Sequence, residues 1–188
     1  MSKGKSYVKE IWDPIKNFHR MHEKQEIESW IAFSLGVGVI SFFLGEFLPI
    51  SKNIELMNFS QEMLNNFITV AALFVSFSLT YLSLLLSSES KNVETLKKTF
   101  SEHFFDEKEN AYSLYKVLVT EITYSIIWEI IFLIWCVMEK CIITFLPNKC
   151  IKIFFSLNIT FFLYIIILII CIVKNIYYSF WKEPPATD

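Results

Sequence analysis

Charged residues are missing from long stretches of this 188-residue chain. The windows 29–45, 63–88, 122–138 and 153–173 together hold 81 residues but only one charge, Glu129, although 19% of the chain is charged. A surface helix of a soluble protein carries a charged face, and these windows have none. Each is close to the roughly 20 residues that cross a hydrocarbon core of about 30 Å. The pattern therefore excludes an ordinary soluble globular protein.

Motifs of the common enzyme classes are also absent. The chain has 4 Gly and 4 Cys and contains no Gly-rich phosphate loop, HExxH, GxSxG or CxxC motif. The spans contain no Ser/His pair, paired Asp or Arg/His cluster of the kind that intramembrane enzymes need. A net charge of −2 excludes a basic nucleic-acid-binding protein, so we expect no direct contact with nucleic acid. We expect a protein that is not an enzyme and uses neither cofactor nor metal.

The charge-free windows predict an all-α fold. Its expected form is an integral membrane four-helix bundle with an N-terminal amphipathic helix and a cytoplasmic helical arm between the second and third spans. The predicted segments are an interfacial segment 1–28, spans 29–50 and 63–88, the arm 89–121, spans 122–146 and 151–178, and a tail 179–188.

Lysine and arginine are unevenly distributed between the connections. Thirteen of the 17 lie in the termini and the long middle connection, and four lie in the two other loops. By the positive-inside rule, we expect both termini and the middle connection to face the cytoplasm. An even number of spans agrees with this, because it places both termini on the same side. The first apolar stretch follows a polar segment and lacks a small-residue cleavage site, so the first span itself is the expected insertion signal.

The segment before the first span has the pattern of an amphipathic helix. Asp13 and Pro14 predict a helix start, with Asp13 as N-cap and the proline in the first helical position. Ile15, Phe18 and Met21 or His22 then follow at helical spacing, and Val8, Ile11 and Trp12 form a similar patch upstream. A basic amphipathic helix beside a span is typical of one that lies on the membrane surface. The alternative is a docking helix for a protein partner.

Each of the first two spans carries a stripe of small or hydroxyl residues at helical spacing. In lipid such stripes let helices approach closely. The first stripe favours packing either against another span or against a second copy of the chain, and its spacing suits both. The second favours helix packing over the lining of a pore or cavity. The first stripe consists of Ser34, Gly38, Ser41 and Gly45. The second consists of Thr69, Ala72, Ser76, Thr80, Ser83 and Ser87.

The connection 89–121 is the largest predicted cytoplasmic element. Its apolar residues recur at helical spacing, with two lysines on the opposite face. Asp106 and Glu109 predict a second helix start, and the run from Ala111 to Val119 would continue into the third span as one helix. A helix–turn–helix arm with balanced charge suits protein contact better than phosphate binding. The predicted partner-binding residues are Leu96, Lys97, Lys98, Phe100 and Phe104, with Val93 on the same apolar face.

Glu129 is the only charge inside the four apolar windows 29–45, 63–88, 122–138 and 153–173. Glu121 and Glu139 bracket that span, which places Glu129 near the membrane midplane, where an ionisable group indicates a functional site. None of the four windows contains a cation, so burial favours the neutral carboxyl, acting as a hydrogen-bond donor. The expected partners are Tyr164, Ser76 and Thr80. A structural hydrogen bond is favoured over an alternative in which Glu129 faces water around the axis of an oligomer.

The four cysteines do not have metal-ligand spacing. Cys136 and Cys171 lie within spans, where cysteine behaves as a small apolar residue. Cys141 and Cys150 lie at the non-cytoplasmic ends of the third and fourth spans. In an oxidising compartment these two could form a disulfide, and free thiols are the alternative.

The block 65–100, NNFITVAALFVSFSLTYLSLLLSSESKNVETLKKTF, joins a hydroxyl-rich span directly to a charged amphipathic segment. In this block, in length and in span count, the chain resembles the membrane subunits of Kiwa anti-phage defence systems. The resemblance implies a homo-oligomer, with a tetramer as one stoichiometry, in the bacterial inner (cytoplasmic) membrane. It also implies that the protein senses phage-induced membrane disturbance and associates with a cytosolic DNA-binding effector. No single residue motif carries the resemblance, so it assigns no functional residue.

Two functions from different classes follow from the sequence. The leading hypothesis is a non-catalytic, oligomeric membrane sensor that anchors a cytosolic effector. The alternative is a pore-forming or depolarising effector lined by the second stripe with Glu129, and a small-molecule transporter ranks behind both.

Overall fold

The computed structural model describes residues 12–47, 53–105 and 110–181. These residues form six α-helices, one 3-10 turn and one two-stranded antiparallel hairpin. The predicted helical fold is confirmed, with the hairpin as its exception. The elements in chain order are α1 (Asp13–Met21), α2 (Lys24–Phe47), α3 (Asn53–Ser87), α4 (Lys91–Lys98), β1 (Phe100–Phe105), β2 (Ala111–Ser113), α5 (Leu114–Ile142), the 3-10 turn (Ile143–Phe145) and α6 (Asn148–Trp181).

Three helices are long and apolar enough to cross a membrane. The qualifying stretches are Lys24–Gly45 in α2, Leu56–Ser87 in α3 and Asn148–Tyr177 in α6, which supports the membrane character predicted from the sequence. The remaining predicted span corresponds to α5 and the 3-10 turn. Since α5 is not among the three, the four-span arrangement stays a prediction.

α5 is the central helix of the fold. It contacts α1, α3, α4 and α6, while α2 packs against α6. Twelve of its 29 residues are buried. In the main core, Phe132 and Cys136 of α5 pack with Leu64 and Phe67 of α3 and with Ile165 of α6. Polar residues on the inner face of α5 are therefore enclosed by protein on several sides.

The N-terminal amphipathic helix is present as α1. It begins at Asp13 with Pro14 in its first turn, but Trp12 occupies the cap position without a side-chain hydrogen bond. The prediction that Asp13 is the N-cap is therefore wrong. Phe18 and Met21 are buried, as the helical spacing predicted. The upstream patch at Val8 and Ile11 lies outside the described residues.

The middle connection is only partly helical. Ser90 caps α4, and Val93 and Leu96 are buried against Leu85 and Leu118. α4 ends at Lys98, and Phe100–Phe105 forms a strand paired with Ala111–Ser113.

The prediction that Phe100 and Phe104 lie on one helical face, in a helix–turn–helix arm, is therefore wrong. Aromatic residues favour β-strands, and this segment forms a strand because it can pair with the second strand. The continuous helix predicted from Ala111 is also wrong, because Ser113 caps a helix that begins at Leu114. The predicted helix start at Asp106 and Glu109 lies outside the described residues.

Candidate functional site

Three glutamates lie on one buried face of α5. Glu121, Glu129 and Glu139 are 2%, 0% and 3% exposed. Steps of three and four residues link them along one side of the helix, and the same face carries the buried residues Ser125, Phe132 and Cys136. The sequence interpretation treated Glu121 and Glu139 as brackets at the two membrane surfaces, whereas both are enclosed by the bundle. A buried carboxyl needs hydrogen-bond partners, so the partners of each define the site.

Glu129 is held by serine hydroxyls from two helices. Its Oε1 accepts hydrogen bonds from Ser125 at 2.8 Å and from Ser78 at 3.1 Å. Its Oε2 is buried and has no hydrogen-bond partner among the residues that the structure describes. The hydrogen-bonded site that the sequence predicted is present, but Ser78 and Ser125 were missed. Ser78 lies two residues beyond Ser76, so it points to a different side of α3 from the predicted stripe.

The three predicted partners of Glu129 are engaged elsewhere. Ser76 donates to the Ala72 carbonyl and Thr80 donates to the Ser76 carbonyl, each at 2.8 Å and both on the exposed side of α3. Tyr164 is buried, and its hydroxyl lies 2.9 Å from that of Tyr124. The prediction that these residues bond Glu129 is therefore wrong. In helices, Ser and Thr hydroxyls readily bond the carbonyl one turn back.

At the other end of α5, Glu139 bonds to the neighbouring helix. Asn158 of α6 donates its Nδ2 to Glu139 Oε2 at 2.8 Å, and the Trp135 indole donates to Asn158 Oδ1 at 2.8 Å. Asn158 is 1% exposed. This polar chain ties α5 to α6 inside a largely apolar contact, where a buried hydrogen bond contributes about 1 kcal/mol.

His22 is the centre of a second polar cluster, near the start of α5. Its Nε2 lies 3.1 Å from Glu121 Oε1, and its Nδ1 lies 3.1 Å from Glu26 Oε2. Asn175 of α6 donates to the same Glu121 oxygen at 2.6 Å. The His22 and Glu121 side chains are only 3% and 2% exposed. The cluster of His22, Glu26, Glu121 and Asn175, which we call the His22 cluster, joins α2, α5 and α6 at the end of α1.

Aromatic rings enclose the His22 cluster. Phe18 of α1 stacks on Tyr124 of α5 with ring centroids 3.7 Å apart and an interplanar angle of 2°. The His22 ring meets Trp30 edge-on at 5.4 Å and Phe104 of β1 edge-on at 5.2 Å. The hairpin therefore contacts the same imidazole that lies within hydrogen-bonding distance of Glu26 in α2 and Glu121 in α5. The sequence interpretation missed this cluster. The four-residue spacing of His22 and Glu26 could have indicated that pair. The contact with Glu121 left no such pattern, because Glu121 is 99 positions away from His22.

The pKa of His22 reflects two opposing effects. Burial by itself lowers the pKa, but the hydrogen bonds to Glu121 and Glu26 and their negative charge outweigh it and raise the pKa above its ordinary value. Phe18, Trp30 and Phe104, which also pack against the ring, do not titrate. The site therefore favours a protonated imidazole that holds two carboxylates.

This pKa shift predicts a stability that depends on pH. A histidine whose folded-state pKa is raised stabilises the fold fully below its unfolded pKa of about 6.5 and loses that contribution as pH rises through the folded value. The thermal unfolding temperature in detergent should therefore fall as the pH rises above about 6.5. His22→Gln should flatten the profile, and His19→Gln, at an exposed histidine of the same helix, should not. An unchanged profile in His22→Gln would contradict the assignment.

The small-residue stripe of the first span packs only in part. Gly38 lies against α6, where Ser156 donates its hydroxyl to the Gly38 carbonyl at 2.6 Å. Ser34 is buried and bonds the Trp30 carbonyl, and Ser41 bonds the Gly38 carbonyl. A side chain at Gly45 would meet nothing within 4 Å. The stripe therefore makes one close contact with another helix of the same chain. Packing against another span was the first of the two alternatives.

The second stripe faces away from the bundle. Thr69, Ser76, Thr80, Ser83 and Ser87 are all exposed. Thr69 and Ser87 donate to carbonyls of their own helix at 2.8 Å, as Ser76 and Thr80 do. The exposed side of the stripe is therefore open to a neighbouring molecule.

The predicted partner-binding residues divide into buried and exposed ones. Leu96 is 2% exposed and part of the core, so it cannot be a docking residue while α4 is folded. Phe104 is half-buried against His22. Lys97 and Lys98 are exposed, with the Lys97 ammonium 5.0 Å from the Tyr115 ring centroid. Phe100 is 63% exposed and Phe105 is 48% exposed, which makes the hairpin the apolar part of this surface.

The described residues contain neither a disulfide nor a group of side chains that could hold a metal ion. All four cysteines are free thiols, with Cys141 exposed and Cys150 half-buried. Within residues 12–47, 53–105 and 110–181, no group of three or more His, Cys, Asp or Glu side chains could hold a metal ion.

Comparisons of the chain with protein-family models, curated proteins and solved structures gave no match.

Proposed function

We propose that this protein is a non-catalytic sensor of the bacterial inner membrane that anchors a cytosolic effector, as the resemblance to anti-phage defence systems implies. In this proposal α2, α3, α5 and α6 span the bilayer with both termini in the cytoplasm. α1, α4 and the hairpin then lie together at the cytoplasmic side. The effector, rather than this chain, contacts DNA.

The His22 cluster is the observation that carries the proposal. A membrane sensor needs physical contact between its spans and its cytoplasmic surface. Here one imidazole contacts Glu26 at the start of α2, Glu121 at the start of α5 and Phe104 in the hairpin. A shift of α5 against α6 changes the position of Glu121 and hence the contacts of His22 with the hairpin.

The hairpin provides the proposed effector surface. Phe100 and Phe105 expose 63% and 48% of their area, and Lys97 and Lys98 are exposed at the adjacent end of α4. Exposed aromatic residues are typical of protein-binding surfaces, and the two lysines lie at the rim of this one. The exposed stripe of α3 supports assembly with further copies of the chain, because small hydroxyl residues allow close helix contact in lipid.

Capture of the effector tests the proposal. Tagged protein extracted in mild detergent from its native host should retain a soluble protein, and Phe100→Ser with Phe105→Ser should reduce the retained amount at least about tenfold, since buried aromatic anchors dominate interfaces. Phe145→Ser is the matched control, because Phe145 is 86% exposed in the 3-10 turn after α5. Equal retention by the hairpin variant and the control would reject the hairpin as the effector surface.

A pore remains the second candidate, and the outward stripe of α3 is the observation that favours it. Around the axis of an oligomer, Ser76, Thr80 and Ser83 would line a polar path. Glu129 bonds a different face of α3, so it would not belong to that lining. Reconstituted protein should then conduct ions, with conductance reduced by Ser83→Leu and unchanged by Glu129→Gln. Electrically silent bilayers under activating conditions would remove this candidate.

A further inference from the structure

A groove of about 480 Å³ lies between α2 and α6. Its floor is formed by α5 through Tyr124, Trp128 and Trp135, and His19 of α1 lies at its edge. The close contact of Gly38 with Ser156 brings α2 and α6 together beside it. The walls are apolar apart from a few hydroxyl groups and consist of Ile31, Ser34, Leu35, Leu157, Thr160 and Phe161.

The hydroxyl groups of the groove are already bonded within the protein. Ser34 donates to the Trp30 carbonyl, Thr160 donates to the Ser156 carbonyl, and Tyr164 bonds Tyr124. The indole N–H of Trp128 has no acceptor, but it is buried and so does not face the open space. Away from His19, a polar ligand would therefore lose most of its hydration with few hydrogen bonds in return, whereas a hydrocarbon chain loses nothing.

The surroundings of the groove supply such a chain. α2 and α6 are both long and apolar enough to cross a membrane, and the neighbouring outward residues Phe33, Val39 and Ile153 are exposed and apolar. The medium at the mouth is then lipid. The floor from Tyr124 to Trp135 extends about 16 Å at 1.5 Å per residue, close to the roughly 15 Å thickness of one leaflet.

Basic residues lie beside the groove on α1. Lys16, His19 and Arg20 fall at positions i, i+3 and i+4, are exposed, and share one side of the helix. His19 also lines the groove. An amphipathic helix with basic residues at a membrane surface attracts anionic lipids, by about 1 kcal/mol per Lys or Arg.

We propose that the groove binds one acyl chain of an anionic phospholipid, with its phosphate beside Lys16, His19 and Arg20. The bound chain completes the apolar contact between α2 and α6 next to the His22 cluster. This inference concerns a ligand of the bundle and does not depend on the effector surface.

Lipid titration of the delipidated, detergent-solubilised full-length protein tests the proposal. Native mass spectrometry should show one tightly bound phosphatidylglycerol, held at least about tenfold more tightly than phosphatidylcholine. Leu157→Trp, which fills the groove from α6, should weaken this binding about tenfold or more. Ile153→Trp is the matched control: Ile153 lies on the same helix, is 47% exposed against 44% for Leu157, and does not line the groove.

The headgroup is tested separately. Lys16→Gln should weaken phosphatidylglycerol binding about fivefold and leave phosphatidylcholine binding unchanged, because only the charge contact is lost. Equal effects of Leu157→Trp and Ile153→Trp, or binding without a defined stoichiometry, would overturn the proposal in favour of general lipid contact. A change of oligomer mass in Leu157→Trp with unchanged lipid binding would overturn it in favour of a second copy in the groove.

Discussion

Replacing Glu121 with alanine is expected to destabilise the protein by about 3–5 kcal/mol, since removing one partner of a buried ion pair leaves the other uncompensated. Glu121 Oε1 is the acceptor for both His22 and Asn175, at 3.1 Å and 2.6 Å. In Glu121→Ala the His22 Nε2 and the Asn175 amide both lose the Glu121 carboxylate, while the His22 imidazole stays buried. The expected result is a lower unfolding temperature in detergent and increased hydrogen exchange in α1, which is held partly through its neighbour His22.

A double substitution provides the control for this prediction. His22→Leu combined with Glu121→Leu removes both members of the pair, and apolar replacement of a whole buried pair is often neutral. The double variant should therefore lose less stability than the sum of its single variants, which measures the coupling between the two side chains. Strictly additive losses would show that His22 and Glu121 do not interact energetically, and would also weaken the proposed coupling of the spans to the hairpin.

A leucine at Gly38 is expected to destabilise the contact between α2 and α6 by about 1–3 kcal/mol, the usual effect of overpacking. A Cβ at this position would overlap the Thr160 hydroxyl and lie 3.2 Å from the Ser156 carbonyl oxygen. The two helices would have to separate, which would lengthen the 2.6 Å hydrogen bond from Ser156. Thermal unfolding and cysteine cross-linking between α2 and α6 would both record the separation.

Gly36 supplies the matched control on the same helix. A Cβ at Gly36 would meet nothing within 4 Å, and replacing a helical glycine by leucine removes a propensity penalty of roughly 0.5–1 kcal/mol. Gly36→Leu should therefore be neutral or slightly stabilising. A loss in Gly36→Leu equal to that in Gly38→Leu would show that the effect comes from lipid exposure or insertion and not from the contact between the helices.

The sequence predicted local features where one segment contains all the needed information. The apolar windows indicated the long helices, and Phe18 and Met21 at helical spacing indicated the buried face of α1. The isolated charge identified Glu129 as a buried polar site, and the residue is 0% exposed. These features depend on periodicity and on the free energy of transferring side chains out of water, both of which act on a short stretch of chain.

Predictions failed where segments distant in the chain decide the outcome. Phe100 and Phe104 had helical spacing, but pairing with the strand at Ala111–Ser113 placed them in a hairpin. Ser76 and Thr80 lie at a depth similar to that of Glu129, but rotation of α3 about its axis brings Ser78 to the carboxylate instead. A change of one or two residues on a helix turns a side chain by 100° or 200°, and neighbouring packing fixes that rotation.

The absence of charge from four windows by itself determined that the chain forms long apolar helices, three of which could cross a membrane. Only the tertiary structure decided that the remaining apolar helix, α5, lies at the centre and encloses Glu121, Glu129 and Glu139. Composition records how much apolar surface a segment has, because hydrophobic transfer is proportional to area and carries no direction. Hydrogen bonds are directional and short, so the meeting of His22 with Glu121 depended on how the helices pack.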